Sequence, residues 1–213
     1  MKTIKNSAAI LFAIVIGSIS MQAQTVKDIF SPSTPITYLG IDYSKAKLIG
    51  DAAADAYDIK NHLYSAMNQV VVNEPKKYDF NKALDKTTVT PEISITEAQN
   101  ATSVMDSIKS SNPDDFQRFS AATISKMIDS YDFKGKKGIG LVFVMEAMSK
   151  SQEKGAVWVT FVNMDSKKVL FTERVLGKPG GFGFRNYWVH VILDVLEDIQ
   201  KTYYKKWNAT YNH

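Results

Sequence analysis

Asp51, Asp55, Asp58 and His62 follow one another at steps of four, three and four residues. On an α-helix that spacing places all four in one narrow stripe. Carboxylates and an imidazole so arranged are what a divalent cation requires when one helix supplies two or three of its ligands. The competing reading is a solvated acidic rim beside an apolar face, since aspartates near a helix N-terminus are favoured by the dipole without a ligand. A second chemistry is suggested by the stretch from Gly177 to Trp188, GKPGGFGFRNYW, which holds four of the eleven glycines. A glycine-rich connection from a strand into a helix can turn backbone N–H groups toward phosphate, sulfate or carboxylate. Lys178, Gly180, Gly181, Gly183 and Arg185 are the residues such an anion site would use. The stretch contains neither G-x-x-x-x-G-K-[ST] nor a G-x-G-x-x-G following a first strand, so no nucleotide is implied. The alternative is a turn that displays Phe182 and Phe184 to a partner.

For catalysis the inventory is thin. There is no cysteine, and the three histidines are His62, His190 and His213. None stands in a recognisable relation to a nucleophile. Glu146 interrupts the otherwise apolar run LVFVMEAM, and a carboxylate so placed must be paired, with Arg174 or Lys168 on a neighbouring strand as partners. The chain closes on KTYYKKWNATYNH. Its lysines complement a helix C-terminus. Tyr203, Tyr204 and Trp207 are residue types that supply contact energy at interfaces, so they form a candidate partner surface, with packing against the domain itself as the alternative.

The elements that would position these residues can be read from periodicity. Ile36 to Ser44 alternates as a strand. Apolar residues from Ala52 to Val70 recur at helical steps, with Asp51 as N-cap and Pro75 as terminator. Thr87 to Ile95 is β-branched and interrupted by Pro91, which predicts an edge strand. Thr96 to Ser130 reads as two helices, the second starting at Pro113. Gly138 to Met148, Gly155 to Met164 and Lys168 to Leu176 form three β-rich runs with short connections, a meander whose first strand is covered on both faces. A long helix follows from about Arg185 to Trp207. The expectation is an α+β, α/β-like domain: a single mixed, partly antiparallel sheet with helices packed on it.

The first 23 residues have a basic start, a short apolar run and a small residue, Ala23, before Gln24, the layout of a secretory signal peptide. Residues 24–213 then form one domain of 190 residues, periplasmic or secreted, with no transmembrane segment after cleavage. Without Lys2 and Lys5, 24 Lys and Arg stand against 22 Asp and Glu, a net charge of +2. That balance argues against nucleic acid as a partner. Without cysteine the fold holds by its core alone, and a lipoprotein anchor is excluded.

AVWVTFVNMDSKKVLFTERVLG followed by a long terminal helix, and the opening ITYLGIDYSKAKLIGDAAADA, resemble the small periplasmic α/β domains of the Tol-system translocation protein B and of curli-secretion-type lipoproteins. The chain has neither the β-propeller nor the lipidation cysteine of those families, so what the resemblance implies is a class of role, the binding of other envelope proteins. The function expected from sequence is therefore an exported, non-enzymatic binding or assembly protein, without a cofactor, that recognises an envelope protein or a cell-surface component. An anion- or small-ligand-binding protein using the glycine-rich loop is the alternative, and a hydrolase without an identifiable catalytic set comes third.

Overall fold

An eleven-residue strand apolar on both faces has no side to offer to water, and β5 (Ile139–Ser149) is buried at every position as the centre of the sheet. The computed structural model describes residues 24–212, so the expected signal peptide at residues 1–23 lies outside the described residues. Along one edge of β5 run β1 (Ile36–Asp42) and then β2 (Lys47–Ile49), both parallel to it. Outside them lie β3 (Val89–Pro91), parallel to β1, and β4 (Lys109–Ser110), parallel to β2. Along the other edge β6 (Lys154–Asn163) and β7 (Lys168–Gly177) form the expected antiparallel meander. The seven-stranded sheet is thus mixed, parallel on one side of β5 and antiparallel on the other.

Helices cover both faces. The larger core lies beneath a long N-terminal helix composed of α1 (Ala56–Asp58), a π-helical turn (Ile59–Leu63) and α2 (Tyr64–Asn73). It is completed by the short α3 (Phe80–Ala83) and by the C-terminal helix, built from α6 (Phe184–Asp198), a second π-helical turn (Ile199–Tyr203) and α7 (Tyr204–Tyr211). On the opposite face, Ile124, Met127 and Ile128 of α5 (Ala121–Asp129) and Ile95 of α4 (Ser94–Ala101) pack on Val142 and Val144. The π turns let each long helix continue while the face it buries rotates.

Four boundaries differ from the sequence expectation, each for a local reason. The first strand stops at Asp42, where the Ser44 amide donates to Asp42 Oδ1 at 2.6 Å and turns the chain out before it rejoins as β2. The first helix starts at Ala56, because the side chain that caps it is Asp55, accepting from Tyr57 N, and not Asp51. Pro91 ends β3, and the residues beyond it enter α4. Pro113 opens only a 3-10 turn (Pro113–Phe116), while the helix proper begins after the Ser120 cap.

The close seating of α6 on the meander has a sequence cause. Gly155 and Gly177 face each other across β6 and β7. A Cβ on Gly177 would stand 2.5 Å from the Val191 carbonyl, and one on Gly155 would stand 2.6 Å from Val191 Cγ1. The first glycine of the glycine-rich stretch therefore serves helix packing.

Candidate functional site

The glycine-rich loop between β7 and α6 is tied down at several points. The Lys178 amide donates to Asp194 Oδ2 at 2.8 Å, and the Gly180 amide donates to the Tyr187 carbonyl at 3.0 Å. His190 Nδ1 lies 3.1 Å from the Lys178 carbonyl, which can only accept, so Nδ1 carries a proton. Gly181 and Gly183 adopt positive φ, 90° and 79°, the conformation that lets the chain double back before Phe184. At the tip Phe182 is 94% exposed, whereas Phe184 is half-buried against Trp188. Arg185 Nε donates to Asn186 Oδ1 beside it. Two of the amides that an anion would use are thus committed to the domain, and the Asp194 carboxylate stands at the start of the loop.

The acidic stripe is not assembled as spacing predicts. Asp51 lies before the helix and pairs with Lys150 at 3.2 Å. Asp55 is the helix cap, and Asp58 accepts from His62 Nδ1 at 2.8 Å on the surface. Among the described residues no three His, Asp or Glu side chains gather where they could hold a metal ion. The expected set of Asp51, Asp55, Asp58 and His62 is corrected accordingly: once the helix begins at Ala56, Asp51 leaves the stripe and Asp55 is taken by capping.

The C-terminal aromatics also need correction as a docking surface. Trp207 is 1% exposed, packs at a tilt against Phe171, and donates its indole N–H to Glu173 Oε2 at 2.7 Å. Tyr204 is buried against Phe30 at the opposite end of the chain. Tyr203 is half-buried against the Trp207 ring. These side chains close the core between α7, β7 and the N-terminal 3-10 turn (Val26–Phe30), because the helix face that carries them meets the sheet.

Glu146 sits where β5 bulges against β6 and is fully buried. Its carboxylate accepts from the Arg118 and Phe119 amides, from the Trp158 indole N–H at 3.1 Å and from Arg174 Nε at 2.7 Å. The guanidinium of Arg174 also donates to the Phe116 carbonyl, so this one carboxylate joins the meander to the loop that precedes α5. Lys86 is a comparable clamp: it is 6% exposed, donates to the Ser31 and Asp28 carbonyls, and burial pushes its ammonium down to about 8.

A second buried polar cluster closes the edge of β1 beyond β3. Asn68 accepts from the Ile41 amide at 2.7 Å and donates to the Ile41 carbonyl at 3.0 Å. Asn100 accepts from Tyr43 N and donates to the same Ile41 carbonyl, while Thr96 donates to the Leu39 carbonyl. These side chains supply the hydrogen bonds that a neighbouring strand would make. Asp42 is next to them, 1% exposed, accepting from the Tyr131 hydroxyl. Burial holds its carboxyl above the usual range, against the lowering effect of the Ser44 and Tyr131 hydrogen bonds. The folded state thus favours the protonated form. The stability this contributes is fully present below the unfolded pKa of about 3.9 and is lost as pH rises through the raised folded value. Asp42→Asn, neutral throughout, should gain stability relative to the parent as pH rises from about 4 to neutrality. Urea midpoints across that range measure the difference, and a gap that does not change with pH contradicts the assignment.

Sequence reading offered Arg174 as a partner for Glu146 but not the Trp158, Arg118 and Phe119 donors that complete the first cluster, and it did not find the second cluster at all. The available signal was Asn68 on the apolar side of a helix and Glu146 in an apolar strand. It also missed a cavity of about 100 Å³ at the edge strand β3, lined by Tyr38 and Tyr78. The chain matches no protein-family model and no curated protein.

Proposed function

We propose that this protein is an exported, non-enzymatic binding or assembly protein of the cell envelope, and that it meets another envelope protein through the loop carrying Phe182. The observation that carries this reading is an exposed phenylalanine, 94% accessible, at the tip of a loop that is already held in place. A large apolar side chain displayed on a preorganised turn loses little conformational freedom on binding, which is how a few aromatic residues come to dominate an interface. Lys178 and Arg185 flank it and fit an acidic rim on the partner. The polar groups best suited to catalysis by type are engaged in holding the fold: Glu146 by four donors, and His190 by the Lys178 carbonyl. The resemblance of the chain's element order to small periplasmic α/β domains supports the same class of role, and export rests on the signal-peptide layout of residues 1–23.

The test is cross-linking in intact cells with the parent and with Phe182→Ala. The variant should lose a specific cross-linked species while its unfolding free energy stays within about 0.5 kcal/mol of the parent, as expected for an exposed position. An unchanged cross-linking pattern overturns the assignment of the loop.

A further inference from the structure

A sheet that ends in an unpaired strand offers its outer N–H and C=O groups to any chain that can reach them, and natural sheets usually blunt or cover such edges. One side of this sheet is closed in that way: Asn68, Asn100 and Thr96 occupy the edge of β1, β3 stops after three residues at Pro91, and β4 has only two residues. The other side is not. The ten residues of β7 pair with β6, and among the described residues no strand, loop or side chain is hydrogen-bonded to the outer side of the β7 backbone. The register shift of the β6–β7 pair falls at Leu170, so the regular edge runs from Phe171 to Gly177.

The side chains along this edge narrow what can add to it. The charged residues within it are engaged inside the domain: Glu173 accepts from the Trp207 indole and pairs with Lys206 at 3.6 Å, and Arg174 serves Glu146. Thr172 shares a hydrogen bond with Thr160 on β6 at 2.8 Å, and Leu176, on the same face of the strand, is 37% exposed. A strand laid beside β7 therefore meets no free charge in its middle, and β-branched residues pair well in such a place. The ends differ. Lys168 opens β7 and Lys178 follows its last residue; both are exposed, and among the described residues neither ammonium has a partner. The Asp194 carboxylate takes the Lys178 amide and not its ammonium. An extended chain spans the interval between the two lysines with about ten residues, or about 33 Å.

We propose that β7 is the docking edge for an extended segment of a partner protein, which adds to the seven-stranded sheet as an eighth strand, β-branched in its middle and acidic at both ends where it meets Lys168 and Lys178. In strand addition the main-chain hydrogen bonds supply the attraction and the side chains supply the selectivity. The edge runs directly into the loop that carries Phe182, so this inference rests on the reading of the chain as a protein-binding one and extends that contact from the loop tip along the sheet.

The experiment uses the purified protein labelled with nitrogen-15 and a synthetic ten-residue peptide of alternating valine and threonine with two aspartates at each end. One control peptide carries lysines in place of the aspartates, and a second carries proline at its two central positions. With the acidic peptide the β7 amides should shift saturably, and alternate amides from Phe171 to Gly177 should gain hydrogen-exchange protection, because outward N–H groups alternate along a strand paired on one side. The lysine-ended peptide should bind about tenfold more weakly, and the proline peptide should protect none of these amides. Lys168→Glu combined with Lys178→Glu should reverse the preference between the acidic and the lysine-ended peptide, a result that a misfolded variant cannot produce. The proposal is overturned if no β7 amide gains protection with the acidic peptide, if the lysine-ended peptide binds the parent as tightly, or if β7 becomes protected on raising the protein concentration without peptide, which would assign the edge to a second copy of this chain. Failure of the peptide beside a lost cross-linked species in Phe182→Ala removes the strand addition and leaves the loop assignment standing.

Discussion

Glu146→Ala should destabilise the domain by about 3–5 kcal/mol, the range observed when one partner of a buried ion pair is removed. The loss comes mainly from what remains behind. Arg174, whose side chain is 18% exposed, keeps a guanidinium without its carboxylate. The Trp158 indole N–H and the Arg118 and Phe119 amides lose their acceptor in the same step. Because the Arg118 and Phe119 amides precede α5, the substitution also loosens the helix that covers the second face of the sheet. Removing both partners as Glu146→Met with Arg174→Met should recover much of the loss, since two apolar side chains leave no buried charge unpaired. Equilibrium urea denaturation of the parent and the two variants decides the matter: a Glu146→Ala loss below about 1 kcal/mol would place Glu146 among ordinary exposed pairs.

Gly40→Ala should cost about 3 kcal/mol or more, from two sources that act together. The residue has a φ of 100°, which side-chain-bearing residues adopt only under strain. Its new Cβ would also stand 2.4 Å from Thr96 Oγ1 and 2.9 Å from Asn68 Oδ1. Those two side chains carry the hydrogen bonds of the β1 edge, so relieving the clash breaks bonds to Leu39 or Ile41. Gly135→Ala is the internal comparison: its φ is 70° but no atom stands within 4 Å of the Cβ position, so backbone strain of about 1–2 kcal/mol is the whole expectation. Thermal and urea denaturation of both variants separate strain from steric conflict. Equal losses at the two sites would mean that the polar cluster yields without cost.

The parts of this fold that were legible in the sequence are those with a repeated local signal. The three strands of the meander and the long C-terminal helix were read within a few residues, because alternation and helical recurrence persist over ten residues or more in each. The need for a cation beside Glu146 was also legible, with Arg174 and Lys168 as the two candidates, and the fold brings Arg174. Short elements were not. β2 and β4 have three and two residues, too few to show a period; β2 exists because β5 extends past the end of β1 and offers it an edge, and β4 adds to β2.

The composition and order of residues by themselves determined that the chain builds a mixed sheet around an apolar central strand, with helices on it and no disulfide to support it. They could not determine which polar and aromatic residues that packing would enclose. Trp207 and Phe182 are both large apolar residues in the C-terminal part of the chain, yet one is 1% exposed and the other 94%, because α7 lies against β7 whereas the positive φ of Gly181 and Gly183 carries the loop tip away from the domain. Asp51 and Asp55 are chemically alike, and one capping hydrogen bond separates their roles. The depression beside β3 brings Tyr38 together with Val89 and Pro91, far along the chain, through the parallel pairing of β1 with β3. Burial and convergence are properties of long-range contact, and no local period encodes them.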